Sequence, residues 1–273
     1  MPILKANGIH IYYETHGAGD PLLLIMGLGA NSTAWFLQVP EFSKHYQVIA
    51  FDNRGAGRSD KPNEPYTIMQ MADDAAGLME ELGMASAHVF GMSLGGMIAQ
   101  ELTLRHPARV RTLVLGGTMA GGPQAIRAGP DFVQQIMSSM GQPLEQQIEN
   151  GMRFLYSEAF FSANRARLLE RSLELAHLMP PPHALQRQFM AVMTFNTHER
   201  LHQIRVPTLV LTGTADRIVP SGNSQILAEG IPGAALIEFP GVGHGFLVEC
   251  AEETNRTVVE FLERHRTHFV GPK

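Results

Sequence analysis

Short, uninterrupted apolar runs restrict the fold of this chain more than any other feature. Pro21-Leu-Leu-Leu-Ile-Met26, Gln47-Val-Ile-Ala-Phe51, Ala87-His-Val-Phe90, Val110 to Leu115 and Val206 to Thr212 are each about as long as one strand. A strand with one wet face alternates apolar and polar residues, whereas a strand covered on both faces reads as a continuous run. Helical patterns lie between the runs. Ile68, Ala72, Ala75, Ala76, Met79 and Leu82 recur at helical spacing with Gly83 as a terminator. Leu94, Met97, Ile98 and Leu102 do the same until His106-Pro107 ends the helix. This alternation predicts an α/β fold, a mostly parallel central sheet flanked by helices. Ile9 to Thr15 predicts an early strand or hairpin arm, and Ala234 to Phe239 the last strand. Helices are expected around Ser224 to Glu229 and through Val258, Phe261, Leu262 and His265.

Between about Thr118 and His202 the strand pattern stops. Segments rich in Met, Phe and Gln replace it, broken by Pro123, Pro130, Pro143 and Pro180-Pro-Pro182. A helical insertion is therefore expected over 118–202, with 1–117 and 203–273 forming one core domain.

The chain has 273 residues, enough to bury a large core. A hydrophobic share of 44% and a charged share of 17% argue against disorder. The net charge is −5, and both nucleic acid and anionic membranes reward a basic stripe, so neither is an expected partner. Leu22 to Met26, the most apolar stretch, is too short to span a bilayer. The first residues lack the basic end and apolar core of a signal peptide. The single cysteine, Cys250, permits neither an internal disulfide nor a cysteine-rich zinc site. These features predict a soluble cytoplasmic protein, and a homo-oligomer is compatible with them.

Gly91-Met92-Ser93-Leu94-Gly95 is the strongest chemical signal. Composition alone supplies such a pattern only about 0.1 times per chain of this kind, and this one sits between a buried strand and a helix. A serine on that turn needs a strained backbone, and the flanking glycines give it room. A helix N-terminus favours developing negative charge, and a neighbouring base is needed to activate the hydroxyl. Among 12 histidines, His244 in Gly241-Val-Gly-His-Gly245 lies in a glycine-rich loop between the last strand and the last helix, free to reach back to Ser93. The base needs a carboxylate to hold its tautomer. Asp216 follows a strand end, where open α/β sheets build their sites. Its rivals are Asp52, Asp60 and Glu249, of which Asp52 reads as a loop brace beside Asn53-Arg54. The order Ser, Asp, His matches that expected for such a fold. An oxyanion hole would use the backbone N–H of Leu94 and, from the loop Gly27-Leu28-Gly29, that of Leu28.

Together Met26-Gly27-Leu28-Gly29, Asp52-Asn-Arg-Gly-Ala-Gly-Arg-Ser59, Gly91-Met-Ser-Leu-Gly-Gly96, Gly213-Thr-Ala-Asp216 and Gly243-His244 resemble the α/β-hydrolase superfamily. The resemblance covers nearly the whole chain outside the insertion. It is greatest to 3-oxoadipate enol-lactonases, small carboxylesterases and cofactor-free haloperoxidases or perhydrolases. Such relatives carry a helical cap after the strand that follows the nucleophile helix, where 118–202 falls. Many have His-Gly at the oxyanion loop, whereas this chain has Met26-Gly27.

The resemblance implies hydrolysis of an ester or lactone through an acyl-enzyme on Ser93, with no metal or organic cofactor. The insertion is rich in Met and Phe, which suit an adaptable apolar pocket. Met119, Met140, Phe161, Met193 and, beyond the insertion, Phe246 are the candidate pocket residues. The expected partner is thus a largely apolar small-molecule ester or lactone. Perhydrolysis, carbon–carbon bond hydrolysis on the same triad and a non-catalytic ligand receptor are the alternatives.

Overall fold

The computed structural model describes residues 2–266 apart from Met140. Eight strands form one sheet: β1 (Ile3–Ala6), β2 (Ile9–His16), β3 (Pro21–Ile25), β4 (Gln47–Phe51), β5 (Ala87–Met92), β6 (Val110–Gly116), β7 (Thr208–Gly213) and β8 (Ala235–Phe239). Their order is β1-β2-β4-β3-β5-β6-β7-β8. From β4 to β8 every pairing is parallel, while β1 and β2 run antiparallel at one edge. The early arm is thus half of a hairpin. Its two-residue turn, Asn7-Gly8, has φ of 46° and 82°, the double left-handed geometry that matches strand twist.

The helices are α1 (Val39–Phe42), α2 (Ile68–Glu81), α3 (Leu94–Arg105), α4 (Pro130–Ser139), α5 (Leu144–Leu155), α6 (Glu158–Glu174), α7 (Pro182–Thr194), α8 (Gly222–Gly230), α9 (Phe246–Glu249) and α10 (Ala251–Arg264). Thr67 caps α2, its hydroxyl oxygen accepting the Gln70 N–H at 3.0 Å. Among the described residues no helix is long and apolar enough to cross a membrane.

Strand side chains alternate between two cores. Leu23, Ile25, Ile49, Val89, Leu113 and Val210 pack with Met71, Leu78 and Ile98 of α2 and α3. Leu22, Leu24, Val48, Phe90, Val114 and Leu209 pack on the other face with Phe42, Phe246, Val258 and Phe261. Two residues per repeat with both faces covered give the continuous apolar runs their physical meaning.

Four helices, α4 to α7, lie between β6 and β7. Their two ends meet at a neck. Gly121 bridges Asn196, and the Thr197 N–H donates to the Ala120 carbonyl at 2.8 Å. Met152, Phe161 and Leu168 form a separate small core that touches the main body at Val248.

Helix α3 approaches the sheet so closely that a Cβ on Gly95 would stand 2.0 Å from the Ile25 carbonyl oxygen. Gly95→Ala is expected to push the helix off the sheet and cost about 1–3 kcal/mol or more, read as a lower urea midpoint.

His88 is buried at the start of β5, its Nδ1 2.8 Å from the Thr112 hydroxyl and its ring 5.6 Å from Tyr46. Burial pushes its pKa down to about 4. The unfolded chain therefore takes up this proton first as pH falls below the ordinary histidine value of about 6.5. The stability held by neutral His88 is complete above that value and is lost progressively down to about pH 4, up to ~3 kcal/mol. His88→Gln should flatten this part of the pH profile of the urea midpoint. An unchanged slope would contradict the assignment.

Candidate active site

The loops that follow β3, β4, β5, β7 and β8 all emerge at the carboxyl edge of the sheet and carry the polar residues singled out by sequence. Ser93 leaves β5 and enters α3 at φ 55° and ψ −120°. Among the described residues only Asn7 shares a positive φ without being glycine. Such a conformation costs about 1–3 kcal/mol and persists only where its surroundings over-determine it. Those surroundings are visible. The Ser93 N–H donates to the Gly116 carbonyl at 2.7 Å, and the Thr118 hydroxyl donates to the Ser93 carbonyl at 2.7 Å. Cβ atoms on Gly91 and Gly96 would overlap Gly95 and Thr118.

Asp216 and His244 meet. The buried Asp216 carboxylate accepts the N–H groups of Ile218 and Val219 on Oδ1, each at 2.8 Å. Its Oδ2 lies 2.6 Å from His244 Nδ1, with both side chains almost wholly buried. A carboxylate partner requires the proton on Nδ1, leaving Nε2 with its lone pair. The His244 ring packs on Gly117, where a Cβ would stand 3.2 Å from Nδ1 and Cε1. Gly117 adjoins Gly116, whose carbonyl holds the Ser93 N–H, so ring and elbow share one corner of the sheet.

Glu249, a rival acid, spends its oxygens elsewhere. It accepts the N–H groups of Gly243 at 3.1 Å and Ser157 at 3.0 Å, and the Ser157 hydroxyl also bonds to it. With the Gly245 N–H donating to the Leu155 carbonyl at 2.6 Å, it ties the His244 loop to the junction of α5 and α6. Asp52, completely buried, braces its loop as its setting suggests, accepting the N–H groups of Ser32 at 2.8 Å and Arg58 at 2.7 Å.

The loop after β3 lies against Ser93, since a Cβ on Gly27 would approach the Ser93 Cβ to 3.1 Å. The Asn53 side-chain amide donates to the Met26 carbonyl at 2.8 Å, and the Ala30 N–H closes a turn onto the Gly27 carbonyl at 3.2 Å. Leu28 is exposed at the tip of that turn, and Leu94 is buried directly after Ser93. Thr118, the bracing amide of Asn53 and the buried Gln188 of α7 belong to no motif that marks them in sequence as parts of the site.

The pocket residues expected from sequence scatter. Phe246 is fully buried beneath the sheet against Phe239, so it is core and not pocket wall. Phe161 is interior to the inserted helices, with the Arg153 guanidinium 4.8 Å from its ring centre. Met119 joins the main core. Met193 is exposed on α7, and Met140 lies outside the described residues. A cleft of about 380 Å³ between α6 and the Phe36-Leu37 turn touches none of Ser93, Asp216 and His244. Among the described residues no cluster of three or more His, Cys, Asp or Glu could hold a metal ion.

Residues 20–250 match the family described as the alpha/beta hydrolase fold. The chain belongs to the α/β-hydrolase family. A protein of Azorhizobium caulinodans named "Putative carbamate hydrolase RutD" is 33% identical over 261 residues, 96% of this chain and 98% of that one. The solved enol-lactonase of Burkholderia xenovorans superposes with a TM-score of 0.83 at 28% identity, covering 96% of this chain and 100% of that one. An N-acyl homoserine lactone degrading enzyme superposes with a TM-score of 0.81 at 29% identity, covering 95% and 100%. Fold, family and relatives together make the chain a hydrolase.

Asp216→Asn tests the geometry of the acid and base. An amide keeps the Ile218 and Val219 N–H groups satisfied only by turning its NH₂ toward His244. That forces the ring to accept on Nδ1 and to move its proton to Nε2. Nitrogen NMR of the histidine ring should show the Nδ1–H tautomer in the natural protein and the Nε2–H tautomer in the variant. An Nε2–H ring in both would contradict the pairing.

Proposed function

We propose that this chain is a serine hydrolase that cleaves a small to medium, largely apolar carboxylic ester or lactone through an acyl-enzyme on Ser93. One observation carries the reading. A serine held at positive φ on a strand-to-helix elbow shares a sheet corner with a histidine whose Nδ1 is already engaged by a buried carboxylate.

In this reading, His244 Nε2 takes the Ser93 proton as Oγ attacks the carbonyl carbon. Asp216 holds the ring and stabilises its positive charge without taking the proton itself. The tetrahedral oxyanion rests on the backbone N–H groups of Leu28 and Leu94. Collapse breaks the bond to the alcohol oxygen, which leaves with the proton from His244. Water then gives a proton to His244 as its oxygen attacks the acyl carbon; the bond to Ser93 Oγ breaks, His244 returns that proton to Oγ, and the acid leaves. The apolar preference is supported by Leu28 and Leu185, two exposed leucines beside the turn of the oxyanion loop. A second reading, carbamate hydrolysis by the same attack, is favoured by the name of the relative from Azorhizobium caulinodans and its near full-length match.

The test is a panel of neutral acyl esters of increasing chain length, lactones, diacid lactones and a carbamate. Ser93→Ala should lower turnover by at least ~10³-fold, and unchanged turnover would overturn the nucleophile. Preference for the diacid lactones would overturn the apolar substrate, and preference for the carbamate would select the second reading.

A further inference from the structure

The oxyanion loop is held by a residue of the inserted helices. Gln188, in α7, is completely buried, and its side-chain amide reaches into the core domain at both ends. Its Oε1 accepts the Gly29 N–H at 2.9 Å, and its Nε2 donates to the Arg54 carbonyl at 2.7 Å. One helical turn earlier, Leu185 covers the same glycine, and a Cβ on Gly29 would stand 3.0 Å from its Cδ1. Burying an amide in this way is costly unless both ends find partners, and both do.

The bond to Gly29 matters because of the turn it holds. Gly27 and Ala30 close a four-residue turn, and Gly29, third in it, has φ 69° while Leu28 does not have positive φ. That is a type II turn, which differs from type I by rotation of the central peptide, here the one joining Leu28 to Gly29. Glycines on both sides of Leu28 leave that rotation little steric resistance. Gln188 takes hold of the N–H of this very peptide. The Arg54 end of the clamp is itself fixed, because Arg54 forms two 2.6 Å bonds to the buried carboxylate of Asp74. The Gly29 N–H, engaged by Gln188, leaves the Leu28 N–H as the donor this turn can offer to a substrate.

We propose that Gln188 is a positioning residue for the oxyanion hole: through it the docking of α7 fixes the conformation of the turn that carries the Leu28 N–H. The inference rests on the serine-hydrolase reading for its chemical consequence, but the clamp itself can be read without any substrate. Three proteins are compared: the natural chain, Gln188→Leu, which removes both bonds, and Gln188→Glu, which keeps an acceptor for Gly29. Met190→Ala, an exposed position on the same helix, serves as the control.

Amide hydrogen exchange should show Gly29 protected in the natural chain, unprotected in Gln188→Leu and again protected in Gln188→Glu. A Gly29 amide that exchanges freely in the natural chain overturns the proposal even if the leucine variant does not fold. The rate at which a fluorophosphonate labels Ser93 needs the same oxyanion donors and no knowledge of the natural substrate. It should fall about tenfold in Gln188→Leu, less than the ~100-fold or more that follows outright loss of an oxyanion donor. It should recover in Gln188→Glu and stay unchanged in Met190→Ala. On a cleaved ester, kcat should fall by the same factor with KM within about twofold, since the donor acts in the transition state. Lower thermal stability with unchanged labelling and unchanged kcat would make Gln188 merely structural and overturn the proposal. Absence of ester cleavage by the natural chain, with exchange and labelling shifting as stated, would instead sink the ester reading and leave the clamp standing.

Discussion

Burial of the parallel sheet on both faces is the constraint from which the rest of the molecule follows. Leu22 and Leu24 face one core and Leu23 and Ile25 the other, so no flank of the central strands is left for polar chemistry. Charged and hydrogen-bonding groups are driven to the strand ends. At the carboxyl ends the loops of Gly27–Gly29, Asp52, Ser93, Asp216 and His244 are gathered by parallel pairing alone. The same close packing stores the strain at Ser93. Glycines at 91, 95 and 96 let α3 lie against β3 and Thr118, and the elbow between strand and helix has nowhere else to go.

Polar loops at a dry edge must be satisfied internally, and the structure does this with a few fully used side chains. Asp216 accepts two backbone N–H groups besides the His244 ring. Asp52 ties the Ser32 and Arg58 segments together, and the paired Arg54 and Asp74 anchor the loop after β4 from below. Removing one partner from such an arrangement strands a buried charge, which is more costly than the pair itself is stabilising. Two of the fixings come from the inserted helices: Gln188 on the loop after β3, and the α5–α6 junction, through Glu249, on the His244 loop. The insertion is therefore part of the scaffold of the edge it stands over.

Much of this was legible in the chain. The strands from β3 onward fall where apolar runs of strand length lie, and the early arm carried its own turn signal in Asn7-Gly8. Ser93, Asp216 and His244 could be singled out because each sits in a glycine-flanked segment at a strand end, a local pattern. Helix α7 shows where local pattern misleads. Leu185, Phe189 and Met193 are apolar and spaced one turn apart, yet all three are exposed, while Ala184, Gln188 and Ala191 face inward. Small residues let the helix approach the core closely, and the large apolar ones are left facing out. Phe161 and Phe246 mislead in the other direction, since an aromatic residue beside a candidate site fills a core as readily as it lines a pocket.

The sequence by itself determined the layered α/β architecture, the place of the inserted helices and the candidate serine, carboxylate and histidine. Each of these is written in short-range signals: residue period, glycine placement, run length. Only the tertiary structure decided which groups meet. Asp216 reaches His244 across 28 residues, Gln188 reaches Gly29 across 159, and Glu249 turns away from the imidazole to hold backbone N–H groups. Contacts at such separations depend on how helices dock on a sheet, and docking is set by summed side-chain shape over whole faces, which no local pattern records.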